Sequence, residues 1–265
     1  MTLVLAIYLG CGAVVGVLAG LLGIGGGTVI VPMLLVAFGS QNIPPQYYMP
    51  MALGTSLASI MFTSISSTWS QHKRGSVKWD IFRNITPGIL VGTFFGGMIA
   101  SRLPTLFLKL FFICFLFLIA YKMISKFQPK ASRQMPKAAG TSLAGVVIGL
   151  VSSFVGIGGG SLSVPFMVYC NVPMHTAVGT SAAIGFPIAV AGTLGYVVSG
   201  WNMPDLPSYC LGFVNLYALL GIAAASVFTA PLGVRLSHSL PTAKLKKIFA
   251  FFLIIIALKM LWDLV

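Results

Sequence analysis

The sequence predicts an all-α integral membrane protein made of two inverted-topology repeats of about five helical segments each. Three observations carry this reading: long charge-free apolar stretches, a glycine-rich motif that occurs twice, and a one-sided distribution of Lys and Arg. In a chain of 265 residues, 57% are hydrophobic and only 7% charged, against about 25% charged in a globular domain. Mean hydropathy is +0.99. No Asp, Glu, Lys or Arg occurs from Met1 to Gln71, nor from Ala138 to Pro204, so each stretch can cross a hydrocarbon core of ~30 Å more than once.

Apolar runs between polar breaks predict first-half segments near 3–22, 28–39, 47–69, 84–101 and 103–121. A parallel set follows near 138–155, 161–170, 175–198, 211–234 and 242–261. The first run lacks a basic leader and continues into further apolar sequence, so it is read as mature structure. Most runs are long enough to span as helices. The segments 28–39 and 161–170 are too short to cross without tilt, and the sequence leaves open whether they span or re-enter.

Three blocks show that the halves, 1–130 and 131–265, are repeats. LGIGGGTVIVPMLL (22–35) matches VGIGGGSLSVPFMV (155–168) at seven of fourteen positions. ALGTSLASI (52–60) matches AVGTSAAIG (177–185) at five positions, and the runs that begin LPT at 103 and at 240 match at twelve of 22. Order-preserved similarity of this kind points to duplication rather than shared hydrophobicity.

Orientation follows from the basic residues. Segments 72–83, 122–137 and 235–247 hold thirteen Lys and Arg; Arg102, Lys109 and Lys259 are the other three. The positive-inside rule places those segments in the cytoplasm. Segment 199–210, the counterpart of 72–83, has neither Lys nor Arg and is expected outside. The halves are therefore expected to be oppositely oriented, with both chain ends outside. Excess positive charge alone can suggest nucleic acid, but here it sits in short loops without a soluble basic face, so no nucleic-acid partner is expected. Cys11, Cys114, Cys170 and Cys210 show no metal-ligand spacing and read as packing residues.

The repeated GIGGG is a break in helical structure. Inside a membrane, non-helical backbone persists only when buried in protein or lining a wet cavity. Gly25, Gly26 and Gly27 lead into a segment that starts with Thr28, and Gly158, Gly159 and Gly160 lead into one that starts with Ser161. Thr and Ser are good N-cap residues, and a helix start presents free N–H groups at the positive end of its dipole. Thr55 and Ser56, and Thr180 and Ser181, supply small hydroxyls in the next apolar run. If inverted repeats meet near the midplane, the two cradles and two Gly-Thr-Ser sets converge on one anion site. Packing of small residues is the alternative role for all of them.

Asp80, Asp205 and Asp263 fall in loops or at a terminus, so no embedded carboxylate is expected to bind sodium or relay protons. Neither a metal nor a cofactor is expected. His175 reads as a helix-end residue, and Asn84 and Asn215 as packing residues at matching repeat positions.

With GIGGG-[TS]-x3-P and A-x-GTS in each half, the chain resembles the sulfite exporter TauE/SafE family of membrane transport proteins over nearly its whole length. That resemblance implies an inner-membrane carrier of sulfur-containing anions such as sulfite or small organosulfonates. The site residues carried over are Gly23 to Thr28 with Thr55 and Ser56, and Gly156 to Ser161 with Thr180 and Ser181. The expected partners are a small anion and the lipid bilayer, with a homo-oligomeric assembly left open. An anion channel and a non-transporting membrane subunit stay as alternatives. Enzyme chemistry is not expected, because no embedded acid/base pair, metal cluster or activated nucleophile is evident.

Overall fold

The computed structural model of the chain describes residues 8–17, 26–39, 41, 43–125, 134–239 and 242–264. Among them the backbone is almost wholly helical, as expected where water is absent and every N–H and C=O must pair within the protein. The first half contains α1 (Tyr8–Val17), α2 (Gly27–Gly39), α3 (Tyr48–His72), α4 (Trp79–Ala100) and α5 (Thr105–Ile124). The second contains α6 (Ala138–Val155), α7 (Gly160–Tyr169), α8 (Met174–Gly200), α9 (Leu216–Ser239) and α10 (Thr242–Trp262). Among the described residues, five helices are long and apolar enough to cross a membrane. With 13 and 10 residues, α2 and α7 are only about 20 Å and about 15 Å long at the helical rise.

Two expectations are corrected. The run near 211–234 does not begin as a helix. Cys210–Leu211 (β1) pairs antiparallel with Val214–Asn215 (β2), and α9 starts only at Leu216. Phe213 and Val214 are buried, so their apolar character serves this hairpin rather than a span. Asp80 lies in the first turn of α4 rather than in a loop, where a carboxylate is favoured by the helix dipole.

Helices α3 and α8 occupy the centre. α3 packs on α8, α9 and α2, and α8 packs on α3, α4 and α7. Around them α4 lies on α6, and α5 on α10. The α4–α6 contact is built from small residues spaced by one turn, Gly88, Gly92 and Gly96 facing Gly145, Gly149 and Ser153. A Cβ added at Gly92 would overlap the Val146 carbonyl, and one added at Gly145 would lie 2.5 Å from the Ile85 carbonyl. Such small-residue stripes let helices approach where lipid supplies no hydrophobic drive. On the other side, Gly12 and Gly16 of α1 approach Ile222 and Ser226 of α9 in the same way.

Candidate functional site

The glycine breaks lie immediately ahead of α2 and α7. Gly26 and Gly159 hold the same place in the repeated motif and share a left-handed backbone, with φ of 66° and 75°. An L side chain there costs about 1–2 kcal/mol. Each carbonyl then accepts the opening bonds of its helix: Gly26 from the N–H of Val29 and Ile30, and Gly159 from Leu162 and Ser163. Helix structure thus begins at Gly27 and Gly160, one residue earlier than expected. Thr28 and Ser161 do not cap it. Capping falls to glycine because a Thr or Ser N-cap prefers extended backbone, which positive φ forbids.

Released from capping, the Thr28 and Ser161 hydroxyls are buried and have no hydrogen-bond partner among the described residues. Pro32 and Pro165, each four residues on within its helix, lack the N–H that would bond to the Thr28 and Ser161 carbonyls. Beside them, the first-turn N–H groups of Gly27, Thr28, Gly160 and Ser161 have no acceptor one turn earlier in their own helix. Among the described residues, the motif therefore joins an unpartnered hydroxyl to a carbonyl that lacks its usual helical donor at one residue in each half.

The breaks meet across the two halves. A Cβ added at Gly27 would overlap the Gly156 carbonyl and come within 3.0 Å of the Ile157 Cα. Ser56 donates to that same Gly156 carbonyl at 2.7 Å. Gly156 ends α6 with a φ of 67°, and Ile157 N–H closes the turn on the Ser152 carbonyl at 3.1 Å. Ser181 reaches the start of α7 through Ser163, at 2.7 Å between hydroxyls, and Ser163 also donates to the Gly159 carbonyl. Gly158 faces α8, its carbonyl 3.3 Å from a Cβ built at Gly185. Gly23, Ile24 and Gly25 lie outside the described residues.

Thr55 and Thr180 turn elsewhere. The Thr55 hydroxyl oxygen accepts the backbone N–H of Asn215 at 2.9 Å, and that of Thr180 accepts the N–H of Lys78 at 3.0 Å. Each anchors the chain just ahead of a helix in the opposite half. Asn215 immediately precedes α9 and accepts from Ala218 N–H, whereas Asn84 is the sixth residue of α4, so the two asparagines do not occupy matching positions. His175 is exposed at the start of α8.

Sequence reasoning did not find Ser163, whose link to Ser181 depends on how α7 lies against α8. It also missed a cavity of about 710 Å³ walled by Phe62, Trp69, Trp79, Phe82 and Phe186, with Thr68 and His72 among its polar groups. Its α3 lining runs from Phe62 to His72, at the end of the helix that carries the first basic loop. Phe186, also in the lining, follows Gly185, where a built Cβ would stand 3.3 Å from the Gly158 carbonyl.

A helical bundle with several membrane-crossing members and broken helices meeting inside it defines a polytopic membrane transport protein. The chain matches the sulfite exporter TauE/SafE family over residues 8–260 and belongs to it. A "Probable membrane transporter protein" of Haemophilus influenzae is 40% identical, over 94% of this chain and 95% of its own length. Relatives of the same description in Methanocaldococcus jannaschii and Bacillus subtilis are 28% and 26% identical, over 98% and 93% of this chain and 96% and 94% of their own. No solved structure matches the chain. The protein is a multi-pass membrane transporter.

Proposed function

We propose that this transporter is a secondary carrier of small sulfur-containing anions, sulfite or organosulfonates, working by alternating access around the meeting point of the two glycine breaks. The observation that carries the proposal is the pair Thr28 and Ser161. At the same motif position in each half, each combines a buried unpaired hydroxyl with first-turn N–H groups at the positive end of a helix. Neutral donors of this kind hold an anion while leaving a shallower well than an added Lys or Arg, which favours release. Gly25, Gly26, Gly27, Thr28 and Ser56 supply one side of the site, and Gly158, Gly159, Gly160, Ser161 and Ser181 the other. Thr55 and Thr180 position the adjoining chain. The halves 1–130 and 131–265 act as inverted repeats in a bacterial inner membrane, basic loops inside and both ends outside. The sidedness rests on the Lys and Arg bias, and the equivalence of the halves is supported by the mirrored bonds of Thr55 and Thr180, which tie α3 to the loop before α9 and α8 to the loop before α4.

Counterflow in proteoliposomes tests the reading. Labelled sulfite on one side should exchange against unlabelled sulfite and short sulfonates, and not against chloride. Thr28→Val together with Ser161→Ala should lower exchange at least tenfold with protein still in the membrane. Conductance far above carrier turnover would instead assign a channel, and no exchange of any anion by folded protein would overturn transport of this class.

A further inference from the structure

Three basic residues stand apart from the basic loops, Arg102, Lys109 and Lys259, and two of them line one cavity. Lys109 is the fifth residue of α5 and Lys259 the fourth from the end of α10. Both therefore lie at the ends of their helices opposite Lys122 and Lys244, where the charge bias along the chain disfavours them. A lysine near a helix end extends its ammonium toward the interface, and here both side chains also reach one cavity. Lys109 is half-buried. The cavity measures about 600 Å³, its apolar wall includes Phe252, Ile256 and Met260, and its lining reaches Pro32 on α2. α2 is the helix whose first turn enters the central break, so the cavity and the break share one element.

Asp263, one turn beyond Lys259, also lines the cavity. Lys259 and Asp263 are exposed, and Lys109 has no acidic residue on its own helix. The volume falls in the range of small-molecule sites and far exceeds a four-atom oxyanion. We propose that this cavity is a vestibular binding site for an organic anion with an apolar body, its sulfonate or carboxylate head drawn to Lys109 and Lys259 and its body against the α10 wall. The inference rests on the carrier reading above and narrows its substrate class toward organosulfonates. An anionic phospholipid offers the same chemistry of charged head and apolar tail, so the test separates the two sources.

Calorimetric titration of the full chain in phosphatidylcholine nanodiscs, with alkanesulfonates from methane- to hexanesulfonate, provides the test. Affinity should rise by about fourfold for each methylene buried. Lys109→Gln should weaken every member at least tenfold, Lys109→Arg should keep most of the affinity, and Asp263→Asn should tighten binding severalfold. Unchanged binding in both Lys109→Gln and Asp263→Asn overturns the site. So does loss of sulfonate binding on adding phosphatidylglycerol, if that lipid stays with the wild type and not with Lys109→Gln, because the cavity is then a lipid site. Counterflow by the same proteins keeps the two readings apart. Absence of flux in the wild type sinks the carrier reading, whereas wild-type flux with an unaltered half-saturation in Lys109→Gln sinks only the vestibular site.

Discussion

The Thr55 hydroxyl oxygen accepts the backbone N–H of Asn215 at 2.9 Å, joining a helix of the first half to the residue that introduces α9. Thr180 makes the corresponding bond to Lys78 at 3.0 Å, ahead of α4. The glycine before each threonine gives the loop room: a Cβ at Gly54 would stand 3.0 Å from the Phe213 carbonyl, and one at Gly179 would overlap the Ser76 carbonyl. Gly-Thr in each half is thus a seat for the loop of the other.

Thr55→Val keeps the side-chain shape and removes the acceptor from a buried N–H. An orphaned buried group costs about 1–3 kcal/mol, so Thr55→Val should lower the thermal unfolding midpoint in detergent and Thr180→Val should lower it less, because Lys78 is exposed and water takes up its N–H, with Ser at either position restoring most of the loss. Equal midpoints for Val and Thr would show that the loops are held by other contacts.

The break glycines should respond in an order set by geometry. Gly39→Ala meets nothing within 4 Å in a helix without positive φ, and should be neutral or slightly stabilising. Gly75→Ala also meets nothing but has a φ of +66°, so it carries only the backbone strain of about 1–2 kcal/mol. Gly159→Ala adds a clash with Ile188 to the same strain, and Gly27→Ala overlaps the Gly156 carbonyl. Flux normalised to membrane-inserted protein should fall from Gly39→Ala to Gly27→Ala, and Gly26→Leu with Gly159→Leu should abolish it. Undiminished flux in that double variant would remove the breaks from the pathway.

Much of this was legible in the sequence, for reasons that also mark the limit. Span positions follow from apolar run length, and α6, expected at 138–155, is Ala138–Val155. The hairpin before α9 was not legible, because buried Phe213 and Val214 look the same in sequence whether they face lipid or pack on a loop. The motif marked where helix structure breaks, but which residue caps it depends on the sign of φ at Gly26 and Gly159. The contact of Ser56 with Gly156, one hundred residues apart, arises only when α3 meets the end of α6, and the shared cavity of Lys109 and Lys259 only when α2, α5 and α10 are brought together.

The α4–α6 seam should fail differently from the breaks. Gly92 and Gly145 face backbone carbonyls of the opposing helix, so Gly92→Leu or Gly145→Leu must part the helices rather than shift a side chain. Either should reduce the yield of monodisperse protein in detergent, while Leu143→Ala on α6, at a residue 68% exposed, should leave it unchanged. Monodisperse Gly92→Leu protein with normal flux would show that the seam is not needed for folding.

Sidedness can be read with cysteine labels, and the thiol nearest the loop to be probed favours the experiment. Cys210 lies in the hairpin ahead of α9, where burial pushes its thiol up to about 12. Since the thiolate is the reactive form, Cys210 should label slowly at pH 8 and faster by about tenfold per pH unit until its pKa is reached. Met203, on the charge-poor loop before the hairpin, is 40% exposed, and Arg74, in the first basic loop, is exposed too. Arg74 suits this purpose better than Ser76, which packs against Gly179. With a membrane-impermeant maleimide added to intact cells at pH 8, Met203→Cys should label and Arg74→Cys should label only after permeabilisation. The reverse pattern would place the basic loops outside and overturn the proposed orientation of both halves.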